Sequence, residues 1–152
     1  MNNSDFIYTT YIRSTPEKVW NALTNPEFIR QYWGGYENIS DWKKGSKWQH
    51  VSDKGETMVI GEVLESNPPT RLVYSWAEPN DPSDVSKVTF EIDQNEEMVC
   101  LRVTHGNFKA GSTMRGKISQ GWPKVISSLK SFLETGEAFD IRKGKLGCGR
   151  SE

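Results

Sequence analysis

The chain has 152 residues, enough for one domain with a substantial core. Its 19 basic and 20 acidic residues leave a net charge of −1 with no long run of either sign, which excludes the electrostatic footprint of a nucleic-acid binder. Hydrophobic residues are only 35% of the chain, but six Trp, six Phe and five Tyr supply bulky side chains whose packing tends to leave gaps, a first pointer to a cavity. In chain order, Phe6–Ile12 alternates and is rich in β-branched and aromatic residues, which predicts a first strand. Ser14-Thr15-Pro16-Glu17 predicts a helix start, with a hydroxyl cap, proline in the first turn and a glutamate at capping-box spacing. Val19, Trp20 and Leu23 make the apolar face of that short helix. Asn25-Pro26-Glu27 starts a second one carrying Phe28, Ile29, Tyr32 and Trp33, and Gly34-Gly35 ends it.

Strand signals follow at 37–41, 46–51, 57–66, 70–77, 86–93 and 97–105. Asp53-Lys54-Gly55 and Asn67-Pro68-Pro69 are tight turns between them, residues 79–84 a longer loop, and Gln94-Asn95-Glu96 closes a hairpin. Connections this short demand antiparallel neighbours, because a parallel crossover needs a dozen residues or more. Alternation places Trp48 and His50, Val59, Gly61 and Val63, and Leu72, Tyr74 and Trp76 on one face. Val88, Phe90 and Ile92, and Leu101, Val103 and His105, join them there.

The last element is a long helix. Met114, Ile118, Trp122, Val125, Ile126, Leu129, Phe132 and Leu133 share one arc at about 100° per residue, while Lys117 and Lys124 take the other side. Gly136 supplies the stop. Pro123 removes a hydrogen bond inside this helix and predicts a bend near Gly121–Pro123. One helix against one sheet gives an α+β domain over residues 1–138, with a polar, flexible tail over 139–152.

Gly121-Trp122-Pro123, followed by Val125, Leu129-Lys130 and Leu133-Glu134-Thr135-Gly136, resembles the signature of the AHSA1-like proteins. That family is named for an activator of a heat-shock chaperone's ATPase and belongs to the START/SRPBCC superfamily. Thr15-Pro16-Glu17 with Val19-Trp20, Pro26-Glu27 before Tyr32-Trp33, Gly61-Glu62-Val63, Pro68-Pro69 before Leu72 to Trp76, and Val103-Thr104-His105 resemble its pattern in the same order. The resemblance implies a helix-grip fold, a curved antiparallel sheet of about seven strands wrapped around the C-terminal helix. It also implies a pocket between them for hydrophobic, lipid- or polyketide-like molecules, and a heat-shock chaperone as a possible partner.

On this frame the pocket-lining candidates are Trp33, Trp48, Val63, Tyr74, Trp76, Phe90, Leu101, Val103, His105, Arg115, Ile118, Trp122, Val125 and Leu129. The polar ones among the inward residues are His50, His105 and Tyr74; Arg115, at the edge of the helical stripe, is within reach of a ligand anion or a neighbouring Glu. No catalytic constellation, phosphate loop or metal-ligand spacing appears, so neither cofactor nor metal is expected. Cys100 and Cys148 read as reduced thiols, and no stretch approaches 18 apolar residues. The first five residues lack a signal-peptide pattern, so the expectation is a cytoplasmic monomer without membrane insertion. Three functions compete: a binding protein for a hydrophobic aromatic ligand, a co-chaperone, and a cyclase or hydrolase using His105 or Tyr74.

Overall fold

The computed structural model describes residues 4–142. Strand β1 (Phe6–Ile12) leads through α1 (Pro16–Thr24) and α2 (Pro26–Tyr32) into a meander: β2 (Glu37–Ser40), β3 (Lys47–Val51), β4 (Thr57–Asn67), β5 (Arg71–Glu78), β6 (Asp81–Asn95) and β7 (Met98–Gly106). Helix α3 (Met114–Thr135) closes the domain. The seven strands form one antiparallel sheet in the order β1-β7-β6-β5-β4-β3-β2, so α1 and α2 carry the chain from one edge to the other. Bulges at His50/Val51, Val63/Glu65 and Trp76/Glu78 curve the sheet around α3. This is the helix-grip architecture that the family resemblance implies.

The alternation governs which side chains meet the helix. Val63, Leu72, Tyr74, Val88, Phe90, Ile92, Leu101 and Val103 are all buried, as are Met114, Ile118, Trp122, Val125, Ile126 and Leu129 from α3. Helix α3 runs as one uninterrupted helix with Pro123 inside it and ends on Gly136, whose φ of 86° is the left-handed cap that a glycine adopts at no steric cost. Gly116, near its start, has nothing within 4 Å of where a β-carbon would stand. Gly116→Ala is therefore expected to raise stability by about 0.5–1 kcal/mol, read as a higher denaturation midpoint at unchanged slope.

Two local readings change. The first helix is capped by Thr15, whose hydroxyl accepts from Lys18 N at 3.2 Å. Glu17 thus falls one position early for a capping box, and Ser14 Oγ is buried without a partner. Residues 79–84 are not a long loop. Only Pro79 and Asn80 form the turn, and β6 resumes at once with Asp81 opposite Glu78. Pro82 is tolerated because this part of β6 extends beyond the end of β7, where Lys87 faces Gly106, so one side of the strand is unpaired.

Beyond α3 the chain turns back onto it. Ser128 Oγ accepts from Phe139 N at 3.0 Å and donates to Phe139 O at 3.2 Å, while Arg142 pairs with Asp53 at 3.2 Å. Ala138 and Ile141 pack against the core. The rest of the expected tail, with Cys148, lies outside the described residues.

Candidate functional site

Three segments bring aromatic rings together under one end of α3. At the C-terminus of α2, Gly34 and Gly35 (φ 63° and 89°) reverse the chain toward β2 and leave Trp33 facing inward. Its ring lies 4.7 Å from that of His50 on β3 and 5.6 Å from that of Trp122 on α3. Trp76 on β5 sits 5.8 Å from Trp122 and 6.4 Å from His50. Between them remains a cleft of about 190 Å³, lined by Trp33, His50, Trp76, Lys117, Ile118, Gly121, Trp122 and Val125. It is smaller than the roughly 300–1,000 Å³ of ordinary ligand pockets. The expected enclosed cavity is thus largely filled by the protein's own rings, and an open cleft is left at one end.

Five of the fourteen expected lining residues meet there: Trp33, Trp76, Ile118, Trp122 and Val125. Val63, Tyr74, Phe90, Leu101, Val103 and Leu129 are buried in the core and do not line it. Trp48 is also buried, its ring 4.3 Å from Tyr74 and its Nε1 donating to Ser75 O at 2.7 Å. Arg115 does not line this cleft, and among the described residues it forms no ion pair with a glutamate. Its Nε donates to Ser4 O at 2.8 Å and its guanidinium lies 5.9 Å from the Phe6 ring centre, so it fastens the N-terminal segment. Lys117 and Gly121 were hidden in the sequence: one sits on the polar side of the stripe, the other has no side chain to read. Trp42 and Phe108 also join the aromatic assembly, against Trp48 and His105 respectively.

The two histidines have different surroundings. His105 is fully buried. Trp122 Nε1 donates to its Nδ1 at 3.0 Å, which leaves the proton on Nε2 to be donated to Ser86 Oγ at 2.7 Å. Both nitrogens are engaged, and burial holds the imidazole down to a pKa of about 3. His50 is also buried and neutral, with a pKa lowered to about 4 by desolvation. Its Nδ1–H donates to Asn38 Oδ1 at 2.7 Å, so Nε2 carries the lone pair. At the mouth, Lys117 Nζ is matched by Glu78 at 3.0 and 3.3 Å. Among the described residues no cluster of His, Cys, Asp and Glu could hold a metal, and no helix is long and apolar enough to cross a membrane.

A larger depression of about 400 Å³ lies on the outer face of the sheet, between Ile60, Ala77, Pro82 and Val85. Lys47 and Glu62 flank it, and Trp48 is the one aromatic ring in it. The cleft under α3 is the better candidate because aromatic walls and a polar atom converge there.

Residues 13–134 match the family described as Activator of Hsp90 ATPase homolog 1-like protein. The chain belongs to this family. Solved structures agree on the fold of this AHSA1-like protein. A protein from Mesorhizobium loti is 28% identical over 86% of this chain and 96% of its own, with a TM-score of 0.74. An HSP90 activator from Plasmodium falciparum is 25% identical over 85% and 95%, with a TM-score of 0.70. A protein of the dynemicin biosynthetic locus shares the fold at 18% identity, covering 92% of this chain and 51% of its own, with a TM-score of 0.64. No curated protein matches the chain.

Proposed function

We propose that this AHSA1-like protein is a small binding protein that takes a hydrophobic aromatic molecule into the cleft beneath α3. The observation that carries the reading is the convergence of three indoles, Trp33, Trp76 and Trp122, around space that Gly121 leaves open. Such walls offer stacking and edge contacts to a flat ring. A hydrolase or cyclase built on His105 is disfavoured, since its two nitrogens are already committed to Trp122 and Ser86. Gly121 provides the test. Gly121 lines the cleft and a β-carbon there meets nothing within 4 Å, so Gly121→Leu would add a side chain at the cleft with no clash at its first carbon. Aromatic compounds are expected to shift the indole N–H resonances of Trp33, Trp76 and Trp122 in the native protein and to leave those of the Gly121→Leu variant unmoved. The same shifts in both proteins, or none in either, would sink the proposal.

The family name and the Plasmodium falciparum relative favour a second reading, stimulation of a heat-shock chaperone's ATPase. A dose-dependent rise in the host chaperone's ATPase rate would support it, and a flat response would remove it.

A further inference from the structure

We infer that the cleft selects neutral, single- or double-ring aromatic molecules that carry a hydrogen-bond donor, such as a phenol or an indole, through His50 Nε2. The inference rests on the binding reading above and specifies its ligand class. It starts from the tautomer. Asn38 is buried on β2, directly opposite His50 in the β2–β3 register, and its Oδ1 takes the Nδ1 proton at 2.7 Å. Nε2 is then an acceptor and nothing else. Among the described residues no side chain or backbone group bonds it, although it is not among the polar atoms sealed from solvent. Trp33, Tyr36 and Trp76 hold the ring by its faces and edges, at 4.7, 5.1 and 6.4 Å. Asn38 is a positioning residue in this arrangement, and His50 the group that would touch the ligand.

Size and charge narrow the class further. A volume of about 190 Å³ is somewhat above the roughly 150 Å³ that accommodates benzene in an apolar protein cavity. One ring or a fused pair fits within that volume; a tetracycle would extend beyond it. A carboxylate is disfavoured twice. It would bring negative charge against the His50 lone pair, and Lys117 already has its charge matched by Glu78 at the mouth. A donor placed against Nε2 forms a bond that water otherwise makes, while an isosteric ligand without one strands the acceptor. The expected discrimination is therefore about tenfold.

The experiment is a titration of the full chain, followed through indole and backbone amide shifts, with two isosteric pairs and one anion. The pairs are 4-methylphenol against 1,4-dimethylbenzene and indole against indene; the anion is benzoate. The donor member of each pair is expected to bind about tenfold more tightly in the native protein. His50→Phe, which keeps a ring in the stack, should lose the preference for the donor member. Long-range proton–nitrogen correlation on the unliganded native protein should show Nε2 as the unprotonated nitrogen of His50. Equal affinity within both pairs, a donor preference that survives His50→Phe, tightest binding of benzoate, or a proton on Nε2 would each overturn the selectivity while leaving aromatic binding in place. Binding of none of the five compounds would overturn the binding reading together with it.

Discussion

Gly61→Ala is expected to destabilise the protein by about 3 kcal/mol, the upper end of what one added methyl does in a packed interior. The residue lies mid-strand on β4 and its φ is outside the left-handed range, so backbone freedom is not the reason for a glycine. The reason is what occupies the place of its side chain. Between the pairs Ile60–Ala77 and Val63–Tyr74, the β4–β5 ladder gives way to two other bonds. Glu62 N donates to Ser75 Oγ at 2.9 Å, and Trp48 Nε1 donates to Ser75 O at 2.7 Å. Trp48 is the cross-strand partner of Gly61, so its indole passes over the glycine to reach that carbonyl. A β-carbon on residue 61 would collide with Ser75 O and Trp48 Nε1, and would stand 2.8 Å from Ser75 C. A backbone carbonyl in a sheet cannot rotate away, and Trp48 is wedged against Tyr74 and Trp76. Gly106→Ala makes the control: the three atoms nearest its β-carbon all belong to the Asp5 side chain, near the N-terminus, which can turn aside. Urea denaturation should show a loss under about 1 kcal/mol at Gly106 and several-fold more at Gly61. Equal losses would refute this account of Gly61.

The sequence displayed the sheet because one face is apolar and the turns are short; period 2 and glycine or proline punctuation are local signals. Helix α3 was legible for the same reason at period 3.6. What sequence could not display was decided by register. The 79–84 segment carries two prolines and two aspartates, which look like loop, yet Glu78 opposite Asp81 draws most of it into the ladder. Trp42 follows the end of β2 and turns its ring toward Trp48 and Tyr74 through a left-handed backbone, φ 57°, that no hydropathy pattern reveals. The candidate site was half visible. Alternation puts His50 and Trp76 on the inner face, but which inner residues border space depends on how far neighbouring rings reach. Lys117 comes to the cleft through its long stem although its position on α3 reads as solvent-facing.

Acid should unfold the protein earlier than its carboxylates alone would require, because two histidines are buried neutral. In the unfolded chain both titrate near 6.5, whereas in the folded protein burial lowers His50 to about 4 and His105 to about 3. The unfolded state therefore binds more protons than the folded one between about pH 6.5 and 4, and stability falls as pH falls through that window. Above pH 7 both groups are neutral in both states and add no slope. Each histidine contributes up to about 1.4 kcal/mol per pH unit to this slope, so the pair removes roughly 2–3 kcal/mol over one pH unit near pH 5.5, set against a typical 5–15 kcal/mol total. The structural costs differ. A proton on His105 Nδ1 would set two donors against each other at Trp122 Nε1, among Trp76, Phe108 and Ser86, with no carboxylate among its hydrogen-bond partners in the described residues. A proton on His50 Nε2 would enter a cleft with Lys117 at its edge, an ammonium already held by Glu78. Glu134, lowered chiefly by the Arg13 N–H bond and then by Lys130, adds to the same trend only at the more acidic pH where carboxylates titrate. Urea titrations at pH 7.5, 6 and 5 read the slope directly. His105→Gln keeps an acceptor for Trp122 and a donor for Ser86, and should halve the slope between pH 6 and 5 whatever it costs at pH 7.5. A native protein whose stability stays level across that interval would show that neither histidine is held neutral by the fold.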